Sequence, residues 1–366
     1  MTTGTTGTTG TTGTTGTTGT TRTAGTAGTA GMGGGTAGAT GAAGTALATG
    51  TAGSGTGRLR RTLLAALVAA AVVFPISAAA ASDVPAPVPA AFAEDAAPQS
   101  RYAANRANMA EAARMAQDAD RPGRAARLRS MEAAGAAQFL AFDGRGTGRA
   151  VEVFGELETA DRVTVLVPGS DTTLDTYERF RAGAVALQQR LRAEHPRSAV
   201  VAWLGYDTPG TVSTTVLTAD RADEAAGELA PFLGRLSAMS APGSRLSLLC
   251  HSYGSVVCAR TGTGPAVSDM ALYGSPGTGA GSARELPTGA RVWAGRGSAD
   301  WVANVPHVRL GGIGFGADPV EPSFGARAFT AGAAGHSDYL KPGTESLDSL
   351  AAIVLGTTPA PEATHA

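Results

Sequence analysis

Ser252 is set in the run Cys250-His251-Ser252-Tyr253-Gly254-Ser255, directly after the apolar residues 246–249 and directly before the helix-compatible stretch 256–260. A buried strand, a sharp turn and a helix, in that order, is the context of a nucleophile elbow, which lifts a serine hydroxyl above the edge of a sheet. Such a turn asks for small residues two before and two after the serine. Gly254 meets that demand, whereas Cys250 brings a Cβ and a sulfur to a place where glycine is usual. The chemistry open to this hydroxyl is acyl transfer. It requires a neutral imidazole to take the serine proton and a carboxylate to hold that imidazole.

Around an elbow of this type the chain order is serine, acid, histidine. Of the five histidines, His195 and His251 precede Ser252, and His365 lies in a Pro/Ala tail, which leaves His307 and His336. His307 runs into the apolar Val308-Arg309-Leu310 and reads as the start of an element. His336 follows the small-residue loop 331–335, a setting from which a histidine can hang over a sheet edge. The acid belongs just past the carboxyl end of a parallel strand. Residues 290–294 read as that strand and 295–300 as the loop leaving it, so Asp300 is the acid and Asp318 the reserve. Asp269 opens the preceding strand and stands at the wrong end. The triad read from the chain is therefore Ser252, Asp300 and His336.

A developing oxyanion needs backbone N–H donors. One is expected from Tyr253, the residue after the nucleophile. The second is expected from Gly169 or Ser170, in the turn after the strand 163–167. Asp171 and Thr172 are expected to cap the helix that begins near Tyr177. Trp203 and Tyr206, at the carboxyl end of another strand, are placed in a substrate pocket, with ordinary core packing as the competing role for Trp203. Plainer roles compete at the triad too: an N-cap for Ser252, a turn carboxylate for Asp300 and a solvated loop for His336.

With these residues in view, the chain resembles the actinobacterial α/β-hydrolase family of unknown function. The resemblance rests on Val165-Leu166-Val167-Pro168-Gly169, on Trp203-Leu204-Gly205-Tyr206-Asp207-Thr208-Pro209, on the His-Ser-Tyr-Gly-Ser elbow, on Tyr273-Gly274-Ser275-Pro276-Gly277 and on His336-Ser337-Asp338-Tyr339-Leu340. It covers about residues 100–357 and implies an α/β-hydrolase fold, with Ser252, Asp300 and His336 matching the triad positions. Cys250 in place of glycine and the Ser170-Asp171 pair are departures from the family pattern. The resemblance supplies no substrate.

The elements that must hold these residues are legible in outline. Two Ala/Arg/Glu-rich helices are expected over 101–118 and 121–134, broken at Pro122-Gly123 and serving as a wrap or a small lid. A hairpin follows, with 139–142 and 150–154 around the turn 143–148. Strands at 163–167, 199–203, 245–250, 270–273 and 290–294 then alternate with helices at 176–194, 219–238, from 254, and 345–355. Antiparallel strands followed by βα repeats specify a doubly wound, mostly parallel sheet with flanking helices.

Composition bounds the rest. Of 366 residues, 1–57 are Thr-Thr-Gly and Thr-Ala-Gly triplets with one charge, Arg22, which cannot bury enough apolar surface to order; a disordered tail or a misassigned start is expected there. Residues 58–81 combine a basic Arg58-Leu59-Arg60-Arg61, an apolar run and a small-residue end, the pattern of a secretory signal, with an uncleaved anchor as the alternative. Residues 82–99 read as a Pro/Ala linker and 358–366 as a disordered tail. A net charge of −1 with no basic block beyond the signal argues against nucleic acid. Cys250 and Cys258, the two cysteines, are read as free buried thiols. No metal or cofactor is called for. The expectation is an exported serine esterase, secreted or in the cell envelope, acting on a small-molecule or lipid ester, with membrane association through 62–81. A lipase or acyltransferase using the same triad, and a catalytically silent binding protein on the same scaffold, are the rivals.

Overall fold

Eight strands form one sheet, apolar in all but the last: β1 (Gln138–Asp143), β2 (Arg149–Phe154), β3 (Arg162–Val167), β4 (Ser198–Leu204), β5 (Arg245–His251), β6 (Val267–Tyr273), β7 (Arg291–Gly295) and β8 (Arg327–Ala328). Their order across the sheet is β1-β2-β4-β3-β5-β6-β7-β8. β1 pairs antiparallel with β2 and β2 antiparallel with β4; from β4 onward every neighbour is parallel. This is the expected mostly parallel sheet with antiparallel strands at its start. The computed structural model describes residues 84–93, 95–133 and 138–357. The triplet run, the apolar stretch with its export pattern and the tail at 358–366 lie outside the described residues.

The central strands are apolar on both sides because helices cover both faces. Side chains alternate with the strand period: Val163, Val165 and Val167 of β3 face one core, while Leu166 faces the other. The first core is closed by α4 (Asp220–Met239) and α5 (Tyr253–Arg260). The second is closed by α1 (Pro98–Asp118), α2 (Pro122–Ala133), α3 (Tyr177–Glu194) and α6 (Glu345–Leu355). α1 lies along β1, four places from β5 in the sheet, and donates Asn105 Nδ2–H to the Phe139 carbonyl. The α1–α2 pair is thus a wrap on the far edge of the sheet and not a lid over Ser252.

Residues 84–93, read as part of a linker, have no regular secondary structure but are tied to the domain. Gly146 N–H donates to the Val84 carbonyl and Asn108 Nδ2–H to that of Val88. β8 was not foreseen. It is two exposed residues long, too short to show an alternating pattern.

Candidate active site

Three strand ends on one edge of the sheet carry the candidate residues. Ser252 leaves β5, the turn at Pro168-Gly169 leaves the adjacent β3, and Asp300 follows β7, two strands from β5. Ser252 takes φ 52° and ψ −125°, a left-handed backbone rare for a residue with a Cβ, and a cost of about 1–3 kcal/mol is usual for such conformations. Its surroundings hold it there. Ser252 N–H donates to the Tyr273 carbonyl at 3.0 Å, and Ser255 Oγ donates to the Ser252 carbonyl at 2.6 Å.

Glycine is required on both sides of this turn. A Cβ at Gly254 would come within 2.6 Å of the Val167 carbonyl oxygen, so only glycine lets α5 start this close to β3. A Cβ at Gly169 would lie 2.6 Å from Ser252 Cβ and 3.1 Å from Ser252 Oγ, which puts the β3 turn directly against the hydroxyl. Tyr253 is the first residue of α5, so its N–H has no acceptor within the helix. The Tyr206 hydroxyl donates to the Pro168 carbonyl at 2.7 Å and steadies the same turn.

Cys250 and Cys258 are joined in a disulfide, with Cα atoms 6.4 Å apart, which corrects the reading of free thiols. The last-but-one residue of β5 and the sixth of α5 face each other across the elbow, a geometry that spacing along the chain does not reveal. The position where glycine is usual is thus occupied by a covalent tie between strand and helix.

His336 Nε2 lies 2.9 Å from Ser252 Oγ, and its Nδ1 lies 2.9 and 3.1 Å from the two Asp300 oxygens. A carboxylate only accepts, so Nδ1 carries the proton and Nε2 is left to accept from the serine hydroxyl. Asp300 is buried, and burial favours its neutral form. Hydrogen bonds from His336, the Tyr339 hydroxyl and Val302 N–H outweigh that and hold its pKa below the ordinary value. Tyr339 donates to Asp300 Oδ2 at 2.6 Å and accepts from Gly297 N–H at 3.0 Å. Gly274, at φ 56°, makes room for the pair: a Cβ there would stand 2.9 Å from Asp300 Oδ2 and 3.3 Å from His336 Nδ1.

His251 is a neighbour that the sequence did not single out. Its ring packs against Tyr273, His336 and Tyr339, and its Nε2–H donates to the His336 carbonyl at 2.7 Å. Desolvation, with repulsion from the His336 imidazole second, pushes its pKa down to about 3. Tyr339 was also missed as an acid partner, although it stands three residues after His336. One turn of chain brings both onto Asp300.

The other candidates fall elsewhere. His307 sits 3.5 Å from Asp318 and from the Ser275 carbonyl, and Asp318 takes Arg296 at 2.5 Å, so the reserve base and reserve acid meet each other. Asp269 is locked at the entry end of β6 by Arg245, Arg291 and the Trp293 indole. Trp203 is buried, stacked on Tyr206 with centroids 5.9 Å apart and tilted against Phe232 of α4; both residues read as pocket lining belong to the core beneath that helix. Asp171 and Thr172 do not cap α3, whose N-cap is Thr176. Asp171, at φ 58°, instead accepts from Thr211 N–H. Among the described residues no group of His, Cys, Asp and Glu has the arrangement of a metal site.

A family model described as Alpha/beta hydrolase matches residues 143–310. An uncharacterized protein of Mycobacterium tuberculosis is 29% identical over 262 residues, covering 59% of this chain and 38% of its own. A second, of Mycobacterium bovis, is 35% identical over 135 residues, covering 34% of this chain and 50% of its own. The chain thus spans half or less of the curated relatives it matches. Among solved structures, the esterase LipW of Mycobacterium marinum aligns over 67% of this chain and 88% of its own, at 17% identity and a TM-score of 0.37.

Proposed function

We propose that the chain, whose sheet has the strand order of the α/β-hydrolase fold and which an Alpha/beta hydrolase family model matches over residues 143–310, is an exported serine hydrolase that cleaves carboxylic esters. The observation that carries this reading is the unbroken hydrogen-bonded line from Ser252 Oγ through His336 to Asp300, on a serine held in a strained turn. In the first half-reaction Ser252 Oγ attacks the ester carbon while its proton passes to His336 Nε2. Asp300 stabilises the imidazolium that results. The oxyanion is met by Tyr253 N–H and by the backbone at Gly169 or Ser170. The carbon–oxygen bond to the leaving alcohol then breaks, and His336 returns its proton to that alcohol. Water, deprotonated by the same imidazole, releases the acid and restores the serine.

Export is supported by the basic-apolar-small pattern at 58–81 and by the Cys250–Cys258 disulfide, since disulfides persist in oxidising compartments. A fluorophosphonate probe tests the chemistry. Covalent labelling of the full chain, abolished in Ser252→Ala and strongly slowed in His336→Ala, is expected. Folded protein that takes no label, or a Ser252→Ala variant that still does, defeats the reading.

A further inference from the structure

Seven large apolar side chains stand exposed among the described residues, and their placement is not even. Val88 apart, all of them belong to two stretches at the carboxyl edge of the sheet, where Ser252 lies: Val212 and Leu217 after β4, and Trp301, Val308, Leu310 and Ile313 after β7. Scattered exposed apolar residues are ordinary, but a set gathered at one edge marks a contact surface.

The two stretches are joined to each other and to the candidate site. Gly314 N–H donates to the Leu217 carbonyl at 3.0 Å. The Tyr253 hydroxyl donates to the Thr218 carbonyl at 2.8 Å, and its ring meets Phe315 edge-on at 5.7 Å. On the oxyanion side, Asp171 N–H donates to the Pro209 carbonyl and Thr211 N–H returns a bond to Asp171 Oδ1, tying the first stretch to the turn that bears Gly169. On the base side, the Trp301 ring is centred 4.6 Å from that of His336. The apolar side chains therefore flank the nucleophile on both sides.

Composition agrees. Residues 208–218 carry no ionisable side chain, and residues 305–317 carry only His307 and Arg309. The Arg309 guanidinium is turned onto the Gly279 carbonyl. At the tip of the second stretch, Leu310 and Ile313 pair backbone to backbone across Gly311-Gly312 and present side chains 83% and 57% exposed. A loop built only for water would place polar residues at that tip.

We infer that this rim receives the hydrocarbon chain of the acyl group, and that the substrates are long-chain acyl esters of the lipid class. The inference rests on the serine-hydrolase reading above and narrows it. Each methylene fully covered by apolar side chains is worth up to about fourfold in binding, and an open rim realises a fraction of that.

The full chain is assayed with nitrophenyl esters from acetate to dodecanoate, each below its aggregation concentration, alongside fluorophosphonate labelling. The expected result is a kcat/KM that rises about tenfold or more from butyrate to dodecanoate. The double variant Leu310→Ser with Ile313→Ser should lose most of that rise while keeping its acetate rate and its labelling rate. Val88→Ser, on the α1 side, should keep the whole profile. A flat or falling chain-length profile with labelling intact overturns the lipid assignment and leaves the serine hydrolase standing. Equal losses on acetate and dodecanoate in the double variant overturn it as well. So does a native dimer that the double variant dissociates while the profile stays flat, which would give the rim to a second copy of the chain. Loss of labelling in the native protein removes both readings together.

Discussion

The Nε2–H of His251 donates to the backbone carbonyl of His336 across 2.7 Å. The residue just before the nucleophile thereby holds the main chain of the base that serves it. His251→Phe keeps a ring among Tyr273, His336 and Tyr339 but deletes the donor, leaving a carbonyl unsatisfied at a cost of about 1–3 kcal/mol. The expected outcome is a kcat and a fluorophosphonate labelling rate lowered about tenfold with KM within about twofold, partly rescued in His251→Gln, whose amide can donate. Steady-state kinetics on the three proteins checks it. A Phe variant as fast as the native chain removes the positioning role.

The same imidazole makes the fold acid-sensitive. In the unfolded chain His251 takes a proton near the ordinary histidine value of 6.5, whereas in the folded chain it does so only near about 3. Between those values the unfolded state binds more protons, so stability falls as pH falls, by at most about 1.4 kcal/mol per pH unit. The depressed pKa of Asp300 acts in the same direction, its contribution being lost as pH drops through its folded value. Thermal midpoints from about pH 7 to about pH 5 should decline less steeply in His251→Phe than in the native chain. Parallel slopes would place the sensitivity elsewhere.

Tyr339→Phe removes one of the hydrogen bonds that keep Asp300 ionised. Such bonds to charged groups are worth about 1.5–3 kcal/mol. The Asp300 pKa should rise, and the acid limb of the activity–pH profile should move to higher pH, with activity at neutral pH lowered several-fold. An unmoved acid limb would mean that Tyr339 only fills space.

Much of this arrangement could be read from the chain, and all the exceptions but β8 share a cause. The strand–turn–helix around Ser252, the strand leaving toward Asp300 and the loop before His336 are local patterns, and the structure brings those three side chains together. Missed or misread features depend on which side chains face each other across elements. The Cys250–Cys258 bond, the Tyr339 hydroxyl on Asp300 and the His251 bond to His336 all join residues whose proximity is set by packing. Trp203 and Tyr206 were misread for the same reason. Both follow a strand's carboxyl end, but their rings pack into the core with Phe232 of α4. β8 was invisible because two exposed residues carry no period.

Gly169→Ala tests how closely the β3 turn is fitted to the nucleophile. The added methyl would sit 2.6 Å from Ser252 Cβ and 3.1 Å from the His251 carbonyl oxygen, so one of the two turns must shift. Labelling and ester hydrolysis should fall at least about a hundredfold, the loss expected when an oxyanion donor is displaced. Gly227→Ala, in the body of α4 with nothing within 4 Å of its new Cβ, should leave activity unchanged and raise stability by up to about 1 kcal/mol. Equal activities in the two variants would show that the turn can give way.

The disulfide beneath the elbow makes a prediction that separates stability from chemistry. Cys250 and Cys258 are eight residues apart, and closing so short a loop stabilises a fold by about 2–3 kcal/mol in the chain-entropy account. Both residues are buried on either side of Ser252, so the bond also resists any relaxation of the strained turn into an ordinary helix start. Native protein treated with an alkylating agent should show no reactive thiol, and two after denaturation with reductant. The double variant Cys250→Ala with Cys258→Ala restores a small residue two before the nucleophile. It should melt roughly 5–10 °C lower and label more slowly at temperatures where it is still folded. A double variant that melts lower but labels at the native rate would confine the bond to holding the domain together. One that matches the native protein in both respects would leave the bond without a measurable role in either.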